Sequence, residues 1–237
     1  MIDFHSHILP EIDDGASNVE ESLAMLRQSF RQGVILVAST SHFYPDEDFP
    51  KHFLERRAQA YQRLQDAMLM STEVYPRVVL GAEVLYFPGI SEAREVAEMR
   101  IGKSRSILVE PPMTEWSDGM LDEIAQMGEN FHCIPVIAHV DRYMRYLRDR
   151  TLIDRIRSRN MAVQVNADYF LNPKTAMEAF QNLMDNKLQA IGSDCHNMST
   201  RPPNIGLVWR KVRELGLEEE FHRLHQNAAD LLLQEGT

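Results

Sequence analysis

Short apolar runs alternate with longer amphipathic stretches along the whole chain, and nearly every apolar run ends on a histidine, an aspartate or a glutamate. The apolar runs fall at 2–5, 34–40, 77–83, 106–111, 134–138, 162–166 and 189–193. The amphipathic stretches fall at 18–32, 50–72, 91–99, 118–129, 150–160, 173–186, 204–215 and 218–234. This order is the signature of repeated β-α units, so the chain is expected to be an α/β protein with seven strands. Its 237 residues exceed an average domain but suit one α/β barrel, and a single domain over 1–237 is expected. The first helix is the clearest. Asn18 and Glu21 read as a capping box, Val19, Leu23, Leu26 and Phe30 as its apolar face, and Gly33 as its C′ glycine. Pro173 suits the first position of the helix after Asn172.

Charge and cysteine usage narrow the class. Against 25 Lys and Arg stand 35 Asp and Glu, a net charge of −10, which argues against a nucleic-acid surface. The two cysteines, Cys133 and Cys195, make no disulfide framework and fit a reducing cytosol. The N-terminal residues have neither the basic nor the apolar segment of a signal peptide, and no stretch approaches the ~20 apolar residues of a membrane span. A cytoplasmic protein without direct membrane insertion is expected.

The strand ends gather the chemistry. They carry His5 and His7, then Asp13 and Asp14; His42; Glu83; Glu110; His139, Asp141 and Arg142; and Asp194 with His196. The C-terminal strand ends are the face on which barrel enzymes build their sites. Side chains two apart on a strand share a face, so His5 with His7, or Asp194 with His196, can chelate one ion. Imidazoles and carboxylates without a thiolate suit Mn, Fe or Zn in a nitrogen and oxygen site. Carboxylates can bridge two ions ~3.5–4 Å apart, the arrangement that supports in-line phosphoryl displacement.

Plainer readings exist for each residue alone. A lone His-x-His is a weak signal, and Glu83 or Glu110 can be a buried ion-pair partner. Ligand types on six separate strand ends are much harder to explain that way. His52, His132, His222 and His225 lie on helices or turns and read as solvent-exposed; Met25, Met68, Met120, Met127, Met177 and Met184 read as core filler. Glu218, Glu219 and Glu220 read as a helix N-terminal turn. Arg142 and Arg201 suit bidentate phosphate recognition, against the plainer reading of surface salt bridges. Cys195 and Arg201 also have the Cys-x5-Arg spacing of cysteine-dependent phosphatases. That loop has no glycine, Pro202-Pro203 follows it, and strand alternation points Cys195 away from Asp194 and His196, so a thiolate nucleophile is not expected.

Ile2-Asp3-Phe4-His5-Ser6-His7-Ile8-Leu9-Pro10, Ile12-Asp13-Asp14-Gly15, Ser39-Thr40-Ser41-His42, Gly81-Ala82-Glu83, Ile137-Ala138-His139, Gln164-Val165-Asn166, Ser193-Asp194-Cys195-His196-Asn197 and Arg201-Pro202-Pro203 together form a specific set. The set resembles the PHP (polymerase and histidinol phosphatase) superfamily, and within it the manganese-dependent protein-tyrosine phosphatases of bacterial capsule and exopolysaccharide clusters. The resemblance implies a distorted TIM-like (β/α)7 barrel with three Mn²⁺ ions. It assigns His5, His7, Glu83 and Asp194 to one ion, Glu83 with Glu110 and His139 to a second, and Asp14, His42 and His196 to the third. Glu110 differs from the His common at this place in the wider superfamily and is similar to the tyrosine-phosphatase branch. Arg142 and Arg201 match phosphate-contacting arginines, and Asp141 is a candidate to assist the leaving group. The implied reaction is attack of a metal-activated hydroxide on phosphotyrosine, and the implied partner is the tyrosine-rich tail of a polysaccharide-regulating tyrosine kinase. The alternatives are a small-molecule phosphatase such as histidinol phosphatase, and a non-catalytic phosphotyrosine-binding module. The segment 43–48 is more acidic than the resemblance leads one to expect.

Overall fold

The structure, a computed structural model, describes residues 1–233, so residue 234 of the predicted last helix and the end of the predicted domain lie outside the described residues. β1 (Ile2–Ser6) leads to α1 (Val19–Arg31), β2 (Leu36–Ser39), β3 (His42–Phe43) and α2 (Pro50–Met70). Then come β4 (Arg77–Leu80), β5 (Glu83–Leu85), a 3-10 turn (Arg94–Met99), β6 (Ser106–Glu110) and α3 (Asp118–Phe131). β7 (Ile134–Ile137), α4 (Val140–Leu147) and α5 (Leu152–Arg157) precede β8 (Ala162–Asn166), α6 (Ala167–Leu171) and α7 (Ala176–Met184). β9 (Ala190–Gly192), α8 (Ile205–Leu215) and α9 (Glu218–Leu233) follow.

The named strands pair in parallel, in the orders β1-β2-β4 and β3-β5-β6-β7-β8-β9. The predicted strands 34–40 and 77–83 each break in two, at Thr40-Ser41 and at Gly81-Ala82. The cause is a cross-strand clasp. Glu83 N–H donates to both Thr40 O (3.1 Å) and Ser41 O (3.0 Å), so pairing resumes only with His42 opposite Glu83. The last strand lies beside the first: Asp194 N–H donates to His5 O (2.8 Å) and His7 N–H to Cys195 O (2.9 Å). The result is an α/β fold with a curled parallel sheet.

Both faces of that sheet are apolar, as expected where connections run over the faces. One face carries Val37, Ile107, Val109, Ile137, Val163, Val165 and Ile191 in the main core. The other carries smaller residues, among them Ala38, Ala138, Ala162 and Ala190, packed with Phe4, Leu108, Val136 and with Ala228 and Leu231 of α9. Ser106 Oγ donates to Leu231 O (2.9 Å), tying α9 to that face. Gly192 is required there. A Cβ on it would meet His5 Cβ and stand 2.9 Å from His5 N and from Gln164 Nε2. Gly192→Ala is expected to destabilise the fold by about 1–3 kcal/mol as overpacking. Urea unfolding checks this, and an unchanged midpoint contradicts it.

Local rules explain α1 well and its buried face less well. Asn18 Oδ1 accepts from Glu21 N–H (2.9 Å), while Glu21 reaches back to Ser17 N–H (3.0 Å) rather than to Asn18. Gly33 follows the helix at φ +87°. The buried stripe is Ser22, Met25, Leu26 and Ser29, and Phe30 is 38% exposed. The predicted helix 91–99 is a 3-10 turn, 150–160 shrinks to α5, and 173–186 to α7 with Thr175 at its N-cap, so Pro173 sits in the preceding turn. Met177 and Met184 are exposed rather than core. His52, His132 and His222 are exposed, but His225 is not: its Nδ1 accepts from Ile2 N–H (3.2 Å), and burial pushes the imidazole down to about 3. Among the described residues no helix is long and apolar enough to cross a membrane.

Candidate metal centre

Glu83 sits at the centre of the strand ends. Its Oε2 lies 3.0 Å from His5 Nε2, 3.2 Å from His7 Nε2 and 3.3 Å from His42 Nδ1, and its Oε1 lies 2.9 Å from His139 Nε2. Glu110 extends the cluster, 3.1 Å from His139 Nε2 and 3.8 Å from His42 Nδ1. Asp194 Oδ1 stands 3.5 Å from His7 Nε2 and 3.7 Å from both His5 and His196. Asp14 Oδ1 is 3.2 Å from His196 Nε2 and 3.6 Å from His42 Nε2. All nine predicted ligands therefore form one contiguous cluster. Most are buried; Asp14, with a 66% exposed side chain, forms the rim.

Backbone conformation aims two of these side chains inward. His139 at φ +31° and Asp194 at φ +52° occupy the left-handed region, which residues other than glycine rarely adopt. Such strain concentrates where function fixes a geometry. The Asp194 N–H bond to His5 O and the His139 N–H bond to Gln164 Oε1 (2.6 Å) hold these turns.

The cluster is electrostatically tight. Burial alone would raise the Glu83 carboxyl, but the His5 charge and the hydrogen bonds of His139, His5 and His7 hold it well below the usual range. Burial would lower His139, but hydrogen bonds to Glu110 and Glu83 hold it up at about 9. His196 is pushed down to about 4 by burial and by the neighbouring His7 and Arg201 charges. Three overlapping groups each place one donor atom per residue within 4.8 Å: His7, Asp14, His42 and His196; His5, His7 and Glu83; His42, Glu83 and Glu110. Buried His42 Nδ1 and His196 Nε2 make no hydrogen bond although carboxylates lie 3.3 and 3.2 Å away. At His42 and His196 imidazole nitrogens stand beside carboxylates without a hydrogen bond between them, and such nitrogen and oxygen donors suit divalent transition metals. The residues fit such ions.

Supporting residues were legible only as parts of motifs. Asp13 holds the ring of His7 (Nδ1 to Oδ2, 2.9 Å) and accepts from His42 N–H (2.9 Å) and Gly15 N–H (3.0 Å). That is the partner a metal-binding histidine commonly has on its second nitrogen. Gln164 Oε1 also lies 3.2 Å from His5 Nδ1, and Asn166 Nδ2 donates to Asp194 Oδ2 (2.8 Å). Asp3, pushed up to about 6 by burial, accepts from Ser193 N–H (2.8 Å) and Oγ–H (2.6 Å). Polar side chains on otherwise apolar strands were the available signal.

Arg142 and Arg201 converge on opposite oxygens of Asp194. Arg142 pairs with Oδ2 and Arg201 with Oδ1 (2.7 Å), with side chains 39% and 37% exposed. Asn197 Oδ1 builds the turn that presents Arg201 by accepting from the N–H groups of Ser199 (3.0 Å), Thr200 (2.7 Å) and Arg201 (3.1 Å). A cavity of about 80 Å³ between the arginines is lined also by Asn166, Ser193, Asp194 and Thr200. Asp141 stands apart from the cluster: it is buried, and its Oδ1 accepts from Asn166 N–H (2.9 Å). Cys195 is 1% exposed, and burial pushes its thiol far above the usual range. Cys195→Ser is therefore expected to keep full turnover; loss of activity with intact folding by circular dichroism would contradict this.

Known proteins share this chain's sequence and fold. It is 27% identical to the tyrosine-protein phosphatase CpsB of Streptococcus agalactiae over 251 residues, covering 98% of both chains. It is 30% identical to CpsB of Streptococcus pneumoniae over 221 residues, covering 86% of each. A crystal structure reported for YwqE of Bacillus subtilis and CpsB of Streptococcus pneumoniae, as metal-dependent tyrosine phosphatases, superposes with a TM-score of 0.81 at 24% identity, covering 100% of this chain and 96% of the other. The family described as capsular polysaccharide synthesis, CpsB/CapC, matches residues 1–234, and the chain belongs to it.

Proposed function

We propose that this chain is a metal-dependent protein-tyrosine phosphatase, with Mn²⁺ as its metal, acting in the cytoplasm on the phosphorylated tail of a kinase that regulates capsular or exopolysaccharide synthesis. Its fold is proposed to be a distorted TIM-like (β/α)7 barrel of the PHP type in one domain over 1–237. Support for the barrel comes from the hydrogen bonds that join β9's end to β1. The observation that carries the function is the buried Glu83 carboxylate, which meets four imidazoles within 3.3 Å.

His5, His7, Glu83 and Asp194 would hold one ion, Glu83, Glu110 and His139 a second, and Asp14, His42 and His196 a third. Such ions, when bound, neutralise charge at phosphorus and make water a nucleophile near neutral pH. Arg142 and Arg201 hold the phosphoryl oxygens: two guanidinium forks at the rim match that geometry, and the cavity between them has room for the group. Asp13, Gln164 and Asn166 fix the orientation of His7, His5, His139 and Asp194. The leaving phenolate, with a pKa near ~10, needs little proton donation. Burial raises the Asp141 carboxyl above its usual range, the direction a proton donor requires.

The test is hydrolysis of a phosphotyrosine peptide by chelator-stripped protein, with and without added Mn²⁺, beside histidinol phosphate. Turnover of the peptide restored by Mn²⁺ supports the proposal. Undiminished turnover after stripping overturns the metal dependence, and preference for histidinol phosphate overturns the substrate.

A further inference from the structure

One helix carries the chain from the metal centre into a concentration of positive charge. Arg142, Arg145, Arg148 and Arg150 all fall within residues 142–150 of a chain whose net charge is −10. Arg145, Arg148 and Arg150, with Lys174 from the turn before α7, line a surface groove of about 950 Å³ floored in part by Met144. Among the described residues no acidic side chain forms a salt bridge with any of these four cations. The groove's own acids are engaged elsewhere: Asp149 pairs with Arg155 (2.7 Å), and Glu178 faces the Tyr169 phenol. The helix dipole accounts for Arg145 in the last turn of α4. It extends to Arg148, the C-cap of that helix, but not to Arg150 and Lys174, which lie outside helices. Arg148 even sits at φ +52°, where glycine is the usual residue. Like charges gathered in one concavity repel, and an anionic occupant offsets that repulsion.

The groove lies within reach of substrate. Arg148 lies six positions beyond Arg142 along α4 and its cap, ~9 Å at ~1.5 Å per residue. About three residues of extended polypeptide cover that distance. The other rim has the opposite sign: Asp13, Asp14, Glu47 and Asp48, the last paired with Arg56 (2.6 Å), line a cavity of about 610 Å³ beside His42. An acidic segment is repelled there and attracted to the groove. We propose that the groove between α4 and α7 binds acidic residues of the substrate polypeptide lying about three positions from the phosphotyrosine, an assignment that rests on the phosphatase reading above.

The experiment compares two peptides of equal length on the full chain loaded with Mn²⁺. One carries Asp and Glu three and four positions from the phosphotyrosine on both sides; the other carries Asn and Gln there. The wild type is expected to show a KM about tenfold lower for the acidic peptide, a preference that shrinks as salt rises. The double variant Arg148→Glu, Arg150→Glu is expected to lose that preference while hydrolysing the neutral peptide and p-nitrophenyl phosphate as before. A wild type without preference, or a variant that retains it, overturns the proposal. If neither peptide is hydrolysed, the phosphatase reading fails and binding decides the groove. Fluorescence anisotropy of the labelled acidic peptide is then lost in the double variant if the proposal holds, and unchanged if it does not. Sedimentation with phosphatidylserine vesicles that depends on Arg148 and Arg150, without peptide preference, overturns the proposal in favour of a membrane surface.

Discussion

Glu83→Gln is expected to lower kcat on a phosphotyrosine peptide by about three orders of magnitude, ~4 kcal/mol of transition-state stabilisation. The change keeps the size of the side chain and removes its charge. The carboxylate meets four imidazoles at once: His5, His7, His42 and His139 all lie within 3.3 Å of its two oxygens. An amide accepts on one side only, so at least one histidine then faces an N–H₂ group instead of an anion. Glu83 is 1% exposed, so water does not replace the lost charge. Metal content by atomic emission is expected to fall with kcat, while circular dichroism stays near wild type because the core beneath is apolar and intact. A Glu83→Gln variant with full kcat and a full metal complement would sink the central role given to this carboxylate.

Which parts of this centre were legible in the sequence follows from how each is encoded. Candidate ligands at strand ends survive errors in strand boundaries, because the boundary and the residue coincide; the sequence placed His5, Glu110 and His139 in one cluster for that reason. The breaks at Thr40-Ser41 and Gly81-Ala82 were not, because they arise from hydrogen bonds between segments ~40 residues apart rather than from local propensity. α4 and α6 escaped because eight and five residues are too few to establish a helical period. Asp13 and Asp14 are adjacent and chemically identical in sequence. Residue chemistry does not separate them; the resemblance names Asp14, and the geometry sets Asp13 against His7 and Asp14 facing His42 and His196. The Cys195 coincidence resolved the other way, though not through strand alternation: β9 ends at Gly192, Asp194 sits at φ +52°, and Cys195 packs in the main apolar core.

Arg142→Met and Arg201→Met are each expected to lower kcat/KM by about a hundredfold, ~2.7 kcal/mol apiece. Methionine keeps the aliphatic bulk that packs at the rim and deletes the fork. The double variant is expected to lose less than the product of the single losses. Both guanidinium groups hold the same Asp194 carboxylate, so removing one already loosens the site that the other serves. Lysine at either position restores charge without the bidentate geometry, and is expected to recover only part of the loss. A purely structural role for the pair predicts something different: equal losses on every substrate, with thermal stability falling in parallel. The distinguishing readout is inhibition by inorganic phosphate. If the arginines hold phosphoryl oxygens, the phosphate inhibition constant rises in each single variant while the melting temperature holds. An unchanged inhibition constant would assign them to Asp194 alone and leave phosphate recognition to the metal ions.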